Sequence, residues 1–300
     1  MKMNLLGSSG LKVSEIGLGC MSLGTDERKA VALVHEALDR GVNFLDTADL
    51  YDDGRNEEIV GKAIQGRRDR VVLATKVGNR RFPGQDGWTW DPSKTYIQSA
   101  VKESLRRLGT DYIDLYQLHG GTVDDPIDET IEAFEELKCE GVIRAYGISS
   151  IRPNVIREYV ARSSIASVMN QYSIVDRRAE EEVLPLLREH GINVIARGPV
   201  ASGALAHNRT PAKGYLDYGL EELQSLREEL KAFVMTERSL SQLAIRYSLS
   251  HPSVAVAIPG ASSRDQLLQN IAATNAPELS EEDIQAIRRI SKANRYEAHR

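Results

Sequence analysis

Four titratable side chains stand at or just after the ends of short apolar segments. Asp46, Lys76 and His119 each close a segment with the composition of a β-strand, and Tyr51 follows Asp46 in the next loop. Where parallel strands alternate with helices in a barrel, the carboxyl ends of the strands meet on one rim, and that rim carries the function. We therefore expect the four side chains to lie together.

Their chemistry is complementary. A free tyrosine keeps its proton up to a pKa of about 10, and a neighbouring lysine cation lowers that pKa and eases proton donation. Asp46 would hold Lys76 charged and in place, while His119 could donate a hydrogen bond that orients a carbonyl. This set suits protonation of the oxyanion that forms when hydride adds to a carbonyl. Because no side chain carries a hydride, a nicotinamide cofactor is required.

Each residue taken alone also has a structural explanation. Asp46 could cap a helix, Lys76 could be a surface lysine, His119 a core histidine and Tyr51 a packing aromatic. The four together at neighbouring strand ends favour catalysis. A second reaction also fits the pattern, because Lys76 could form a Schiff base, as in an aldolase barrel.

Strands and helices alternate along the whole chain. The hydrophobic pattern predicts strands over residues 16–19, 42–46, 71–76, 112–119, 145–149, 168–171, 192–196 and 254–258. It predicts helices over residues 28–40, 56–64, 93–108, 128–140, 153–162, 179–190, 240–250 and 264–273, and a further one over 280–290. Eight βα units predict an α/β fold, a single (β/α)8 TIM barrel spanning residues 1–300. The hairpin pattern around residues 7–10 adds an N-terminal β-hairpin cap, and the last segment adds an extra C-terminal helix.

An open, doubly wound sheet is the main alternative fold. Its fingerprint would be a glycine-rich turn after the first strand. Gly17 and Gly19 begin such a pattern, but Ser22 stands where the third glycine is needed. The barrel is therefore the favoured architecture.

Composition narrows the class of protein. The formal net charge is −5 and 41% of the residues are hydrophobic, which is typical of a globular protein that binds neither nucleic acid nor membrane. Two cysteines, and histidines without ligand spacing, predict no metal site and a reducing, cytoplasmic location. The histidines outside the catalytic set are His35, His190, His207, His251 and His299.

At the four rim residues the sequence closely resembles the aldo-keto reductase family. Residues 41–51, GVNFLDTADLY, resemble the family signature, and ATKVG, DLYQLH, GISS, NQYS, GPVASGAL and IPGASSRDQLLQN follow in the family's order. The resemblance covers residues 10 to 275 and implies a barrel with a cap hairpin. It also implies that Tyr51 is the general acid, that Lys76 lowers its pKa, that Asp46 pairs with Lys76, and that His119 orients the carbonyl.

The resemblance implies an NADP(H) site as well. The matching positions are Gly19, Cys20, Met21, Asp46, Ser149, Gln171, Arg197, Gly198, Pro199, Val200, Ala201, Gly203, Gly260, Ser262, Arg264, Gln266 and Asn270. Two positions depart from the common family pattern. Ser150 stands where many members have asparagine, and Arg197 stands where many members stack an aromatic ring on the nicotinamide. A guanidinium is planar and can also stack on a ring.

Residues 258–270 resemble the family's adenosine-phosphate segment, in which Ser262 stands at the usual basic position and Arg264 lies two residues further on. An arginine there could pair with a 2′-phosphate, or could be a solvated residue of the first helical turn. We expect NADP(H) to be preferred over NAD(H), with a small carbonyl compound as substrate. Because some family members are potassium-channel subunits, a nucleotide-sensing, non-catalytic binding subunit is a further alternative.

Two loops on the same rim carry aromatic residues. Residues 78–92 include Phe82, Trp88 and Trp90, which could form a pocket wall or simply pack on the surface. Residues 202–220 include Tyr215 and Tyr218 and could form a lid over the cofactor.

Overall fold

Eight parallel strands form the sheet at the centre of this protein. The computed structural model describes residues 1–300 apart from Pro83, Gln85, His207 and Glu237. A hairpin, β1 (Met3–Leu5) and β2 (Lys12–Ser14), comes first, and a small pair, β6 (Asn79–Arg80) and β7 (Thr89–Trp90), lies outside the sheet. The sheet contains β3 (Leu18–Gly19), β4 (Phe44–Asp46), β5 (Val72–Val77), β8 (Ile113–Leu118), β9 (Ile143–Ser149), β10 (Ser167–Gln171), β11 (Asn193–Arg197) and β12 (Val254–Ile258).

The sheet curves until its first and last strands meet. Its strands follow one another in chain order from β3 to β12. Gly17 donates a backbone hydrogen bond to Ala257 at 2.9 Å, and Ala257 donates one to Glu15 at 2.9 Å. Further parallel bridges join Ile16 to Ala257 and Gly19 to Gly260. These bonds close the predicted (β/α)8 barrel.

Helices cover the outside of the barrel. They are α1 (Glu27–Asp39), α2 (Arg55–Ile64), α3 (Lys94–Leu108), α4 (Ile127–Cys139), α5 (Pro153–Arg162), α6 (Val183–Glu189), α7 (Leu220–Leu230), α8 (Leu240–Ser250), α9 (Arg264–Ala272) and α10 (Glu281–Ile290). The caps that end these helices are visible in the sequence. Asp26 and Ser93 accept hydrogen bonds from the first turns of α1 and α3, and Gly109 ends α3 with a positive φ of 62°.

Two helical predictions were wrong. The hydrophobic pattern predicted no helix between residues 196 and 240, but α7 forms there and buries Leu223, Leu226 and Leu230. The predicted helix over residues 179–190 is broken, because α6 begins only at Val183. Pro185 has no amide hydrogen to donate and therefore must lie in the first turn of a helix.

The N-terminal hairpin plugs the amino-terminal end of the barrel. Leu6, Leu11 and Val13 are buried in one cluster with barrel-facing residues such as Phe44 and Ile195. This confirms the predicted cap.

Along the described residues, none of the helices has the length and apolar character needed to cross a bilayer.

A glycine holds the hairpin against the barrel. Gly7 has a φ of +53°, and a Cβ atom placed on it would lie 2.2 Å from the backbone oxygen of Ala166. Gly7→Ala should lower the free energy of unfolding by about 2–4 kcal/mol, because both the backbone conformation and the contact become unfavourable. Denaturant unfolding measures this loss.

Gly10 in the same hairpin provides the matched control. Its φ is +74°, but nothing lies within 4 Å of its Cβ position. Gly10→Ala should therefore cost only about 1 kcal/mol, the backbone part of the effect. Equal losses from the two substitutions would show that the close approach to Ala166 is unimportant.

Candidate active site

A buried lysine joins the ends of two neighbouring strands. Lys76 in β5 has no exposed surface. Its Nζ donates hydrogen bonds to Asp46 Oδ2 at 2.8 Å, to the Thr47 carbonyl oxygen at 2.6 Å and to Tyr51 Oη at 3.2 Å. All three ammonium hydrogens thus have acceptors: one on Asp46 at the end of β4, one on Thr47, which follows that strand directly, and one on Tyr51.

The loop after β4 returns Tyr51 to this lysine. Asp52 and Asp53 adopt positive φ angles of 49° and 57°, and Gly54 follows at 83°. This tight turn starts α2 and leaves the Tyr51 hydroxyl against Lys76. The Tyr51 oxygen accepts a hydrogen bond from Lys76, so its own proton is available to another acceptor.

His119 follows β8 and faces Tyr51. The two rings meet edge to face, with centroids 6.0 Å apart. No described residue forms a hydrogen bond with His119 Nδ1. The four residues that the sequence analysis singled out therefore do lie together.

Burial sets the charge state of this cluster. Burial raises the pKa of Tyr51 above its ordinary value, and the opposing effect of Lys76 does not cancel it. Burial, with the cations of Lys76 and Arg197, lowers the pKa of His119 to about 3. Burial also disfavours charge on Lys76, but Asp46 and Tyr51 together outweigh it, and the pKa of Lys76 lies above its ordinary value. At neutral pH the cluster contains a protonated tyrosine, a neutral histidine and a lysine cation.

A cavity of about 1040 Å³ opens over these residues. Most of the predicted site residues line its wall, namely Gly19, Met21, Asp46, Tyr51, His119, Ser149, Arg197, Gly198, Pro199, Val200, Gly203, Gly260, Ser262, Gln266 and Asn270. The structure thus brings together segments that lie as far apart in the chain as residues 19 and 270.

Five predicted residues do not line the cavity. Lys76 lies beneath it, and the thiol of Cys20 is fully buried, where burial raises its pKa. Ala201 is also buried. Arg264 reaches Glu36 on α1, 3.2 Å from Nη2 to Oε1, and its side chain is 61% exposed. The fifth residue, Gln171, lies behind Arg197.

Gln171 is held between two side chains. Its Oε1 accepts a hydrogen bond from Arg197 Nη1 at 2.8 Å, and its Nε2 donates one to Tyr215 Oη at 2.6 Å. Tyr215 belongs to the long loop after β11, so this loop is anchored to β10 at that point. Tyr218 in the same loop is buried and packs against Lys292. His207 in this loop lies outside the described residues, and the lid function of the loop stays a prediction.

One half of the cavity fits a dinucleotide. A Cβ atom on Gly260 would lie 2.4 Å from Ser22 Oγ, and no described residue forms a hydrogen bond with that buried hydroxyl. Gly198 and Gly203 have positive φ angles of 66° and 90°, and both line the cavity in the loop after β11. α9 begins nearby, and a helix N-terminus favours phosphate.

Two cavity arginines were missed by the sequence analysis. Arg209 packs over Gly203, whose Cβ position lies 3.1 Å from Arg209 Nη1. Arg152 donates a hydrogen bond to the Gly121 carbonyl oxygen at 2.7 Å. Neither forms an ion pair with a described residue. Both lie in loops without a recognised motif. The one available signal was that Arg209 follows the glycine-rich segment 198–203 by six residues.

The other half of the cavity is bordered by the loops after β5, β8 and β9. Trp88 and Trp90 line it, as the pocket-wall interpretation expected. Trp90 donates a hydrogen bond to Asp125 Oδ1 at 2.9 Å and covers Gly78, whose Cβ position lies 2.5 Å from the ring. Pro83 and Gln85 in this loop lie outside the described residues.

Comparison with known proteins agrees with this architecture. The model of the Aldo/keto reductase family matches residues 15–292. The uncharacterized oxidoreductase YqkF of Bacillus subtilis (strain 168) is 57% identical, with 100% of both chains covered. The holo form of aldo-keto reductase AKR11C1 from Bacillus halodurans superposes with a TM-score of 0.96 at 60% identity, covering 100% of this chain and 99% of that one. An aldo/keto reductase from Klebsiella pneumoniae in complex with NADP and acetate gives a TM-score of 0.79 at 30% identity, covering 99% and 98%.

The barrel fold and the rim site thus define an oxidoreductase with a barrel scaffold. More particularly, the chain belongs to the aldo/keto reductase family.

A further carboxyl group lies between Asp46 and Tyr51 in the chain. Asp49 Oδ1 is buried and has no hydrogen-bond partner among the described residues. Burial, reinforced by the Glu57 carboxylate and opposed by Arg107, raises the pKa of Asp49 to about 7. The sequence contains no signal for this, because the shift arises from packing between distant segments.

Asp49 should make stability depend on pH. Between about pH 4, the ordinary pKa of the unfolded group, and pH 7, the folded protein keeps a proton that the unfolded chain has lost. The free energy of unfolding therefore falls as pH rises through this window. Asp49→Asn, which mimics the neutral form, should be more stable than the wild type at pH 8 by about 1–3 kcal/mol, and this advantage should shrink at pH 5.

Urea unfolding at both pH values measures this difference. Asp52→Asn removes an exposed carboxyl group from the same loop and should change stability by no more than about 0.5 kcal/mol at either pH. A difference for Asp49→Asn that does not vary with pH would contradict the assignment.

Proposed function

We propose that this protein is an NADP(H)-dependent reductase that interconverts an aldehyde or ketone and the corresponding alcohol. The observation that carries the proposal is the contact of the buried Lys76 ammonium with Tyr51 Oη, at the wall of a cavity that His119 shares. A bound nicotinamide would supply the hydride. The protein must then hold the carbonyl and supply one proton.

Tyr51 is the proton donor in this proposal. Its oxygen accepts a hydrogen bond from Lys76, so its hydrogen can point to a carbonyl oxygen in the cavity. As negative charge grows on that oxygen, Tyr51 donates its proton, and the Lys76 cation stabilises the phenolate that remains. His119 is neutral and can donate a hydrogen bond to the same oxygen without competing as an acid.

The geometry disfavours the Schiff-base alternative. A lysine nucleophile must be neutral and must reach the substrate carbonyl. Lys76 is fully buried, all its hydrogens are donated, and Asp46 stabilises its charged form. The presence of a complete proton-donating cluster also favours catalysis over a purely nucleotide-sensing role.

The coenzyme is assigned to the half of the cavity around Ser22, Gly203 and Gly260. Ser22 provides a buried hydroxyl without a hydrogen-bond partner among the described residues, and the glycines let Arg209 and Ser22 approach the backbone closely. Arg209 would face the phosphates that NADP(H) and NAD(H) share, and Arg264 would read the 2′-phosphate by turning from Glu36. The carbonyl compound then occupies the half bordered by Trp88 and Trp90.

The first test concerns the proton donor. Tyr51→Phe removes one hydroxyl and should lower kcat/KM for carbonyl reduction by about 10²-fold or more, the usual contribution of a positioned general acid. Coenzyme affinity should be unchanged. Spectrophotometric assays with a panel of aldehydes and a nucleotide titration measure the two quantities.

Tyr116→Phe is the matched control. Tyr116 lies in β8, its hydroxyl is buried, and no described residue forms a hydrogen bond with it. It should keep full activity. Near wild-type turnover in Tyr51→Phe would rule out the mechanism.

The second test concerns coenzyme preference. We expect the wild type to bind NADPH more tightly than NADH. Arg264→Ala should weaken NADPH by about tenfold and leave NADH nearly unchanged, since a charge-assisted hydrogen bond contributes about 1.5–3 kcal/mol and Glu36 and solvent reduce its effect. Arg209→Ala should weaken both coenzymes by similar factors, because the pyrophosphate is common to them.

Fluorescence titration of both coenzymes against the two variants decides between these roles. If Arg264→Ala affects both coenzymes equally, or neither, Arg264 does not read the 2′-phosphate. If Arg209→Ala reduces only NADPH binding, Arg209 performs that role instead.

A further inference from the structure

Arg197 places a positive charge without an ion-pair partner among the described residues at the catalytic end of the cavity. It is the last residue of β11 and lines the cavity together with Asp46, Tyr51 and His119. Its guanidinium donates to the neutral Gln171 at 2.8 Å. Among the described residues no carboxylate forms an ion pair with Arg197. Most buried or half-buried arginines in this protein do have such a partner, for example Arg107 with Glu57 at 2.7 Å.

Packing holds this charge in place. Gln171 and Arg197 are register neighbours on β10 and β11. Tyr215 fixes the other end of the Gln171 amide at 2.6 Å. The two hydrogen bonds that link the side chains of Tyr215, Gln171 and Arg197 hold the guanidinium on the cavity wall. From there it opposes the rise that burial causes in the pKa of Tyr51, and it adds to the fall that burial causes in the pKa of His119.

The two redox forms of a nicotinamide differ in charge at the ring. The oxidised ring is a cation and the reduced ring is neutral, while the phosphates are the same in both forms. The ring must lie in contact with the carbonyl carbon that Tyr51 and His119 hold, because hydride passes directly between them. Arg197 therefore repels the oxidised ring and not the reduced one.

We propose that Arg197 makes this protein discriminate between the redox forms of its coenzyme, binding NADPH more tightly than NADP⁺. The inference rests on the proposed function. A neutral aromatic side chain at this position could not do this, because it carries no charge to repel the oxidised ring. The consequence is rapid release of the oxidised coenzyme after each reduction, and weak inhibition by it.

Calorimetric titration of NADP⁺ and NADPH tests the proposal without reference to turnover. The quantity of interest is the ratio of the two Kd values, NADP⁺ over NADPH. Arg197→Met should reduce this ratio by about tenfold, the effect of removing a nearby unit charge in a partly solvated site. Arg197→Gln, which can still donate to Gln171, should give the same fall and guards against local rearrangement. Arg197→Lys keeps the charge and should keep the ratio within about threefold.

Arg209→Met is the matched control. Arg209 is another cavity arginine, but it packs over Gly203 rather than beside Gln171. Its loss should raise both Kd values by similar factors and leave the ratio unchanged. The same ratio in Arg197→Met, Arg197→Gln and wild type overturns the inference while the proposed function stands. A wild-type protein that binds neither nucleotide overturns both.

Discussion

The buried ion pair between Lys76 and Asp46 is the constraint on which the rest of the site depends. Both side chains are almost entirely withdrawn from water, and they meet at 2.8 Å. Breaking such a pair by removing one partner typically costs about 3–5 kcal/mol, because a charge is left buried alone. Strands β4 and β5 must therefore stay in register. The loop after β4 must also bring the Tyr51 hydroxyl to Lys76, whose third ammonium hydrogen it accepts.

Barrel closure gives that pair its surroundings. Hydrogen bonds between the segment around Gly17 and β12 bring Gly19 beside Gly260, and so place the first and last strand ends on the same cavity. The hairpin residues Leu6 and Val13 fill the opposite end of the barrel. The amino-terminal end of the barrel is thus filled with apolar side chains, whereas loops at the carboxyl-terminal end surround Asp46, Tyr51 and His119. This division explains how a rigid scaffold can hold several strained turns, such as the one at Asp52 and Asp53, next to the site.

The two cations at the cavity, Lys76 and Arg197, differ in how their charges are balanced. Lys76 and Arg197 both act on Tyr51 and His119, and burial together with these cations keeps the histidine neutral. Lys76 is compensated by Asp46, but Arg197 is bonded only to the neutral Gln171 among the described residues. The first cation serves proton transfer, and the second remains available to influence the charge of a bound ligand. Asp49, whose pKa lies near 7, adds a group close to the Tyr51 loop that titrates in the physiological range.

The sequence alone determined the barrel, its order of strands and the identity of the four clustered residues. Strand ends and capping residues are local signals, and parallel topology brings such ends together. Leu223, Leu226 and Leu230 also showed the period of a helix, which the sequence analysis overlooked. The tertiary structure alone decided that burial keeps Tyr51 protonated, that Arg264 turns toward Glu36, and that Arg197, which the sequence had placed at the site, has no carboxylate ion-pair partner among the described residues. These properties depend on distances and solvent exclusion between segments that are remote in the chain, and residue type and spacing do not encode them.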